Sequence, residues 1–189
     1  MTRYLIILLL LTSCTKVDLS YTVHAGENNF TPLTPTLPFA GREFESTIQI
    51  GQEWFDGPLT TPEGFGVKLH CIGKWNYHEG GCNFAISYSE GKCYLSSRYY
   101  EPITSGTYLL HEGLSQTEIY PNIPINYRIT FTDSTRFYVA SQLVATVMLL
   151  PHDWITPPFL GRSGRDQNYP GGDIPGAWAV RELTLKIIK

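Results

Sequence analysis

The residues best equipped for recognition chemistry fall between positions 151 and 178. Trp154, Tyr169 and Trp178 offer flat apolar faces there, and Arg165, Asp166 and Asp173, with Arg162, Gln167 and Asn168, offer hydrogen bonds and charge. Aromatic platforms beside amides and carboxylates are what a sugar ring or a peptide needs from its receptor. The stretch has little periodicity, and runs beyond about 12–15 residues without secondary structure are commonly functional or disordered. The competing reading is a solvated surface loop whose aromatics tuck back onto the domain. Asp166, Asn168 and Asp173 supply too few oxygens for calcium. The neighbouring glycines are not followed by Gly-Lys-Ser/Thr, so they form no phosphate cradle.

Catalytic constellations are thin. His111-Glu112 and His152-Asp153 each set an imidazole beside a carboxylate in sequence, but no Gly-x-Ser-x-Gly elbow accompanies them. A His-Glu pair without a second histidine four residues on is no metalloprotease motif. Glu43, Glu45, Glu53, Asp56 and Glu63 could supply the carboxylate pair of a glycosidase, yet nothing singles out two of them. No catalytic residue and no cofactor is assigned. Of the four cysteines, Cys71, Cys82 and Cys93 are evenly spaced. In an oxidising compartment they allow one disulfide and one leftover thiol. Cys71–Cys82 is the expected bridge, with Cys82–Cys93 as its rival. His70, Cys71, His78 and Cys82 carry zinc-type ligands, but no CxxC is present, and neighbours on a strand point to opposite faces.

The elements that must position these groups read as short strands. Phe44, Ser46, Ile48 and Ile50 alternate with polar residues, as do Phe65, Val67, Leu69 and Cys71, and again Tyr127, Ile129 and Phe131. Phe84, Ile86 and Tyr88 run through Ser89-Glu90-Gly91-Lys92 into Cys93, which reads as a hairpin. Thr107-Tyr108-Leu109-Leu110 is a short strand, and Leu183, Leu185 and Ile187 alternate near the end of the chain. Residues 137–150 are strongly apolar. Val139, Val144, Thr146 and Val147 favour one or two buried strands there, against a helix facing inward with Phe137, Ala140, Val144 and Met148. Strands without alternating helices predict an all-β fold, a single antiparallel β-sandwich, with a closed or partly open β-barrel as the alternative. Pro32, Pro35 and Pro38 recur at threefold spacing, so residues 16–40 read as an extended spacer, although 17–23 alternate loosely enough to add a strand.

Composition narrows the function classes. The 189 residues are 42% hydrophobic, 13% aromatic and only 16% charged, with a formal net charge of −3. No basic field is available to attract a phosphate backbone, which argues against nucleic acid. At the N-terminus Arg3 precedes the apolar run Tyr4-Leu5-Ile6-Ile7-Leu8-Leu9-Leu10-Leu11, too short to span a bilayer at about 20 residues but fitting a secretory h-region.

Leu11-Thr12-Ser13-Cys14 follows directly and resembles a bacterial lipobox. The resemblance implies cleavage before Cys14, diacylglycerol on its sulfur and acylation of its amino group. It divides the chain into a signal peptide (1–13), a lipidated Pro/Thr-rich tether (14–40) and a β-rich domain (41–189). Thr15 in place of aspartate implies an outer-membrane address where that sorting rule holds. Phe44-Glu45-Ser46-Thr47-Ile48 followed by Gly51-Gln52-Glu53-Trp54 is similar to the opening of small Bacteroidota-type lipoproteins of unknown function, a resemblance that brings no catalytic residue with it. The expectation is a lipid-anchored envelope protein, non-enzymatic, with a structural or partner-binding role. The alternative is a ligand-binding module, with glycan as the ligand, that uses residues 151–178.

Overall fold

In the computed structural model the described residues are 19–27, 29–61, 65–76, 79–104, 107–162 and 178–188. The chain begins with β1 (Leu19–Val23), β2 (Leu37–Pro38), β3 (Glu43–Ile50), a 3-10 turn at Gln52–Phe55 and β4 (Thr60–Thr61). Next come β5 (Phe65–Gly73), β6 (Gly81–Ser89), β7 (Lys92–Thr104), β8 (Thr107–His111) and β9 (Gln116–Ile119). The last are β10 (Ile125–Phe131), β11 (Thr135–Val139), β12 (Gln142–Val147), β13 (Trp154–Ile155), β14 (Phe159–Arg162), β15 (Trp178–Ala179) and β16 (Leu183–Ile188). Among the described residues there is no α-helix.

These strands form an antiparallel β-sandwich. The smaller sheet runs β1-β16-β3-β10-β11-β12. The larger runs β2-β13-β5-β6-β7-β8, with β14 added to β5 and β9 to β7. The sheets do not close on one another, so the fold is a sandwich and not a barrel. Alternation builds the core between them. Ile48 and Ile50 of β3, Ile129 and Phe131 of β10, and Leu183 and Leu185 of β16 face Val67, Leu69, Phe84, Ile86 and Leu95 of the larger sheet. Phe84 bridges the two layers edge-on, 5.1 Å from Tyr127 and 5.6 Å from Phe137 between ring centroids. The 3-10 turn plugs one side with Trp54, fully buried, whose indole N–H donates to the Thr184 carbonyl at 2.8 Å.

Turn chemistry fixes the hairpins. Glu90 and Gly91, at φ 52° and 77°, form the tight connection between β6 and β7, and Ala140 and Ser141, at 47° and 67°, join β11 to β12. Two successive residues in the left-handed region match the twist of two-residue hairpins. Residues 137–147 are therefore a hairpin of two strands, not a helix, but only β11 is buried on one face. β12 is an edge strand with Leu143 exposed.

The stretch read as a spacer is part of the sandwich from residue 19 onward. β1 pairs with β16 from Leu19↔Ile187 to Val23↔Leu183, and Tyr21, Val23 and Phe30 are buried in the core. Burying those three side chains outweighs the extended preference of the prolines around them. The signal peptide and Cys14 lie outside the described residues.

Candidate functional site

A β-bulge in β5 organises the interior. Leu69 pairs with Phe84 and Ile72 with Cys82, so His70 and Cys71 share the place opposite Asn83. His70 sits at φ 20°, at the edge of the left-handed region. Its ring reaches the inner side of the smaller sheet, 5.1 Å from Phe44, and its Nδ1 is hydrogen-bonded to the Tyr127 hydroxyl at 2.9 Å. Bulges re-aim side chains in this way, often beside functional sites. Burial pushes the Tyr127 phenol well above the ordinary tyrosine range, so it stays protonated.

The same bulge corrects the disulfide reading. Cys71, Cys82 and Cys93 are all free, buried thiols. The irregularity sets Cys82 opposite Ile72, and Cys71 is engaged with Thr156, whose hydroxyl meets the Cys71 backbone N–H at 3.0 Å. Cys82 and Cys93 stand on adjacent strands but pair with Tyr99 and Tyr88, six rungs apart, roughly 20 Å along the strands. Burial raises the Cys71 thiol to about 11 and Cys93 to about 12. These are inert packing groups at neutral pH.

The face of the larger sheet turned away from the core is polar and yet buried. Pairing aligns Lys68 with Ala85 and Ala85 with Ser96, and sets Asn83 opposite Arg98. Lys68, Asn83, Ser96 and Arg98 are each 5% exposed or less. Arg98 Nη1 lies 3.2 Å from Glu112 Oε1, and Lys68 Nζ stands 5.3 Å from the centre of the Tyr100 ring. Asn83 Oδ1, Ser96 Oγ and Arg98 Nε make no hydrogen bond among the described residues. Neither Lys68 nor Arg98 stands out in the sequence, because their burial depends on elements far away in the chain.

At one edge of that sheet, β13 places Trp154 opposite Gly73 on one side and Pro38 on the other. The backbone there is clamped: Asp153 N–H donates to the Gly73 carbonyl at 3.1 Å, and Phe39 N–H donates to the Asp153 carbonyl at 2.7 Å. Trp154 packs edge-to-face on Trp75, with ring centroids 4.8 Å apart at 85°. Trp75 is 66% exposed. Lys74, Asn76 and Glu79 are exposed near it in the chain, and Asp153 is exposed beside Trp154. The result is an L-shaped aromatic corner with polar groups beside it. In the sequence Trp75 is marked only by its position between Lys74 and Asn76, in a loop bounded by Gly73 and Gly80.

A separate cleft of about 570 Å³ opens at the side of the sandwich, lined by residues of β1, β3, β16, residues 34–37 and 155–157, with His70 within. The other sequence-derived residues are dispersed. Trp178 lies in β15, paired with Thr61 of β4. Tyr169, Arg165, Asp166 and Asp173 lie outside the described residues, so their relation to Trp154 is not described. His111 stacks on Tyr99 and binds Glu101 at 2.7 Å, while His152 stacks on Phe131 and meets the Leu150 carbonyl at 3.0 Å. Glu112, the sequence neighbour of His111, instead pairs with Arg98.

No protein-family model and no curated protein matches the chain. Among solved structures, similarity extends to one of the endo-acting O-glycanases that prominent members of the human gut microbiota express to initiate mucin breakdown. It has a TM-score of 0.51 and 13% identity over 90% of this chain and 71% of that one. An alginate lyase from Pseudomonas aeruginosa is similar at TM-score 0.45 and 11% identity, over 91% of this chain and 71% of that one. Porphyranase B from Zobellia galactanivorans gives 0.44 and 11%, over 90% and 74%. At such identities the first of these shows a shared β-sandwich fold and nothing finer.

Proposed function

We propose that this chain is a lipid-anchored protein of the outer membrane that binds glycan at the Trp75–Trp154 corner. The lipobox at Leu11-Thr12-Ser13-Cys14 supports the anchor. The single observation that carries the binding role is Trp75, a tryptophan left 66% exposed in the bend after β5 and packed on Trp154, whose own backbone is held by cross-strand pairing. A contiguous exposed aromatic patch, such as two packed indoles form, commonly marks a binding site. Two indoles at right angles present a ring face and a ring edge together, which suits the apolar C–H face of a sugar, and the neighbouring Lys74, Asn76 and Asp153 suit its hydroxyls. The sandwich shared with a mucin O-glycanase supports glycan as the ligand class.

The test is affinity electrophoresis of the purified protein through gels containing mucin or alginate, beside Trp75→Ala and Trp154→Ala. Tryptophan anchors commonly cost 2 kcal/mol or more when truncated, about 30-fold in affinity. Retardation of the parent that both variants lose, at unchanged melting temperature, supports the reading. Retardation that survives both substitutions, or none for the parent, refutes it. Lipidation is tested separately, by the mass of the membrane-extracted protein and of Cys14→Ser.

A further inference from the structure

The smaller sheet ends in a strand with little to keep other strands away. β12 pairs with β11 on one side and has no strand on the other among the described residues. A sheet edge presents a row of backbone donors and acceptors, and natural edges are blunted by charged side chains, proline or bulges. Residues 137–150 hold no charged side chain and no proline. One bulge is present, where the register with β11 shifts between Phe137↔Ala145 and Tyr138↔Leu143. Beyond it the ladder is regular, with Ala145, Thr146 and Val147 opposite Phe137, Arg136 and Thr135.

Apolar surface accompanies the open backbone. Leu143 is 56% exposed and Met148 58%, with Leu149 exposed next to it. On the inner side Val144, Ala145 and Val147 pack against the core but are only partly buried, so the core is open along this edge. The cations on the neighbouring strands are engaged. Arg136 binds Asp133 at 2.8 Å, and Arg128 lies over the Tyr138 ring at 4.3 Å.

A row of backbone groups is satisfied by another strand, and the absence of charge indicates which one. A second copy of β12, turned antiparallel by a two-fold axis, opposes no like charges. With the axis at Thr146, the centre of the regular segment, Ala145 pairs with Val147 of the second copy and Thr146 meets its own equivalent. Leu143 is then brought toward Met148 and Leu149 of the second copy, and the partly buried side chains of both extend one core. The opposite edge of the same sheet is obstructed. On its outer side β1 exchanges backbone hydrogen bonds of 2.8 and 2.7 Å between Thr22 and Thr31. A β12–β1 contact, which would repeat into an open chain, is therefore disfavoured, whereas a β12–β12 contact closes on itself.

We propose that β12 is a homodimer interface, at which two copies of this chain pair antiparallel about Thr146 and join two six-stranded sheets into one of twelve. The inference draws on neither the lipid anchor nor the tryptophan corner.

Sedimentation of the full chain, in solvent matched to the density of the detergent, reads the mass of the protein alone. The expected result is a reversible monomer–dimer equilibrium. Thr146→Lys sets two ammonium groups face to face and weakens it by about tenfold or more, whereas Thr146→Val, uncharged and β-branched, retains it. Directly opposed residues of an antiparallel pair lie roughly 4.5–5.5 Å apart between Cα atoms, within reach of a disulfide. Thr146→Cys therefore bridges to itself on mild oxidation, mapped by mass spectrometry of the joined peptides, and Ser20→Cys on β1 does not. Melting temperatures establish that Thr146→Lys is folded, and the cysteine bridge answers independently of that variant. The proposal is overturned by a monomer at every concentration up to about 0.1 mM, or by a dimer that Thr146→Lys leaves intact. Species that grow beyond two chains, or bridging at Ser20→Cys as readily as at Thr146→Cys, would also overturn it.

Discussion

Removing Glu112 should expose how much the fold depends on the ion pair beneath its polar face. Arg98 carries its charge on a side chain only 4% exposed, and Glu112, 26% exposed at 3.2 Å, is its one ion-pair partner among the described residues. At an effective dielectric of about 20 the gross attraction at that distance is roughly 5 kcal/mol, most of it offset by the cost of taking both groups out of water. Breaking such a pair is worse than never having it, because a guanidinium is left buried and uncompensated, typically at 3–5 kcal/mol. The partial exposure of Glu112 lets water reach the vacated place, which lowers the expectation for Glu112→Ala to about 2–4 kcal/mol. That corresponds to a loss of about 4–16 °C in Tm for a chain of this size. The double variant Arg98→Met/Glu112→Leu should recover much of the loss, since apolar groups of similar volume need no counter-charge. Urea denaturation of the parent, both single variants and the double variant closes the cycle. A Glu112→Ala protein within about 0.5 kcal/mol of the parent would refute the reasoning. So would a double variant no more stable than Glu112→Ala.

Alkaline pH should weaken the fold through Cys71. Its thiol titrates near 9 unfolded and about 11 folded, because burial disfavours the thiolate. Its contribution is complete below pH 9 and disappears as pH rises through 11, about 2–3 kcal/mol in all; urea midpoints at pH 8 and 10.5 should converge in Cys71→Ala relative to the parent. Thiol reagents at pH 8 should label none of Cys71, Cys82 and Cys93 until denaturant is added, as followed by mass spectrometry. Gly73→Ala should destabilise by roughly 1–3 kcal/mol, since the new methyl would fall 2.6 Å from the Gly81 Cα and closer still to the Gly80 carbonyl oxygen, both backbone atoms; thermal melting checks this. Gly91→Ala, at φ 77° with open space around it, should cost less, about 1 kcal/mol, because only backbone strain opposes it.

Where one face of a strand meets the core and the other does not, period-two alternation makes it legible, which is why β3, β10 and β16 can be read directly, whereas β11 shares an apolar stretch that reads as strand or helix. The β6–β7 hairpin is equally plain, with Glu90-Gly91 marking a turn that needs left-handed backbone. Alternation is silent about what lies over a strand's second face. Ser96, Arg98 and Tyr100 alternate with the core-facing Leu95 and Tyr99 side of β7, yet they too are buried. The Thr/Pro run at 31–38 hides β2 and the core residue Phe30, because two-residue strands and single anchors have no period to detect. A bulge is likewise invisible: strict alternation through residues 69–72 puts Cys71 on the core side with Cys82, whereas one extra residue shifts the register and sends His70 toward Tyr127. Of the aromatic corner, Trp154 is legible as an aromatic among polar loop residues. Its partner Trp75 lies far away in sequence, and only folding brings the two together.

The placement of β1 has a mechanical consequence. It is an edge strand whose first rung, Leu19↔Ile187, lies nearest whatever pulls on the residues before it. Antiparallel hydrogen bonds run across the strands, so a load entering at Leu19 opens them one after another instead of shearing them together. Peeling would meet its first obstacle at Tyr21, whose ring is buried in the core, and a second at Thr22, which is bound to β16 on one side and on the other exchanges two backbone hydrogen bonds, at 2.7 and 2.8 Å, with Thr31. Ahead of Tyr21 the strand yields to small forces. Beyond Thr22, pulling must drag Phe30 from the core, and the whole sandwich begins to bear the load.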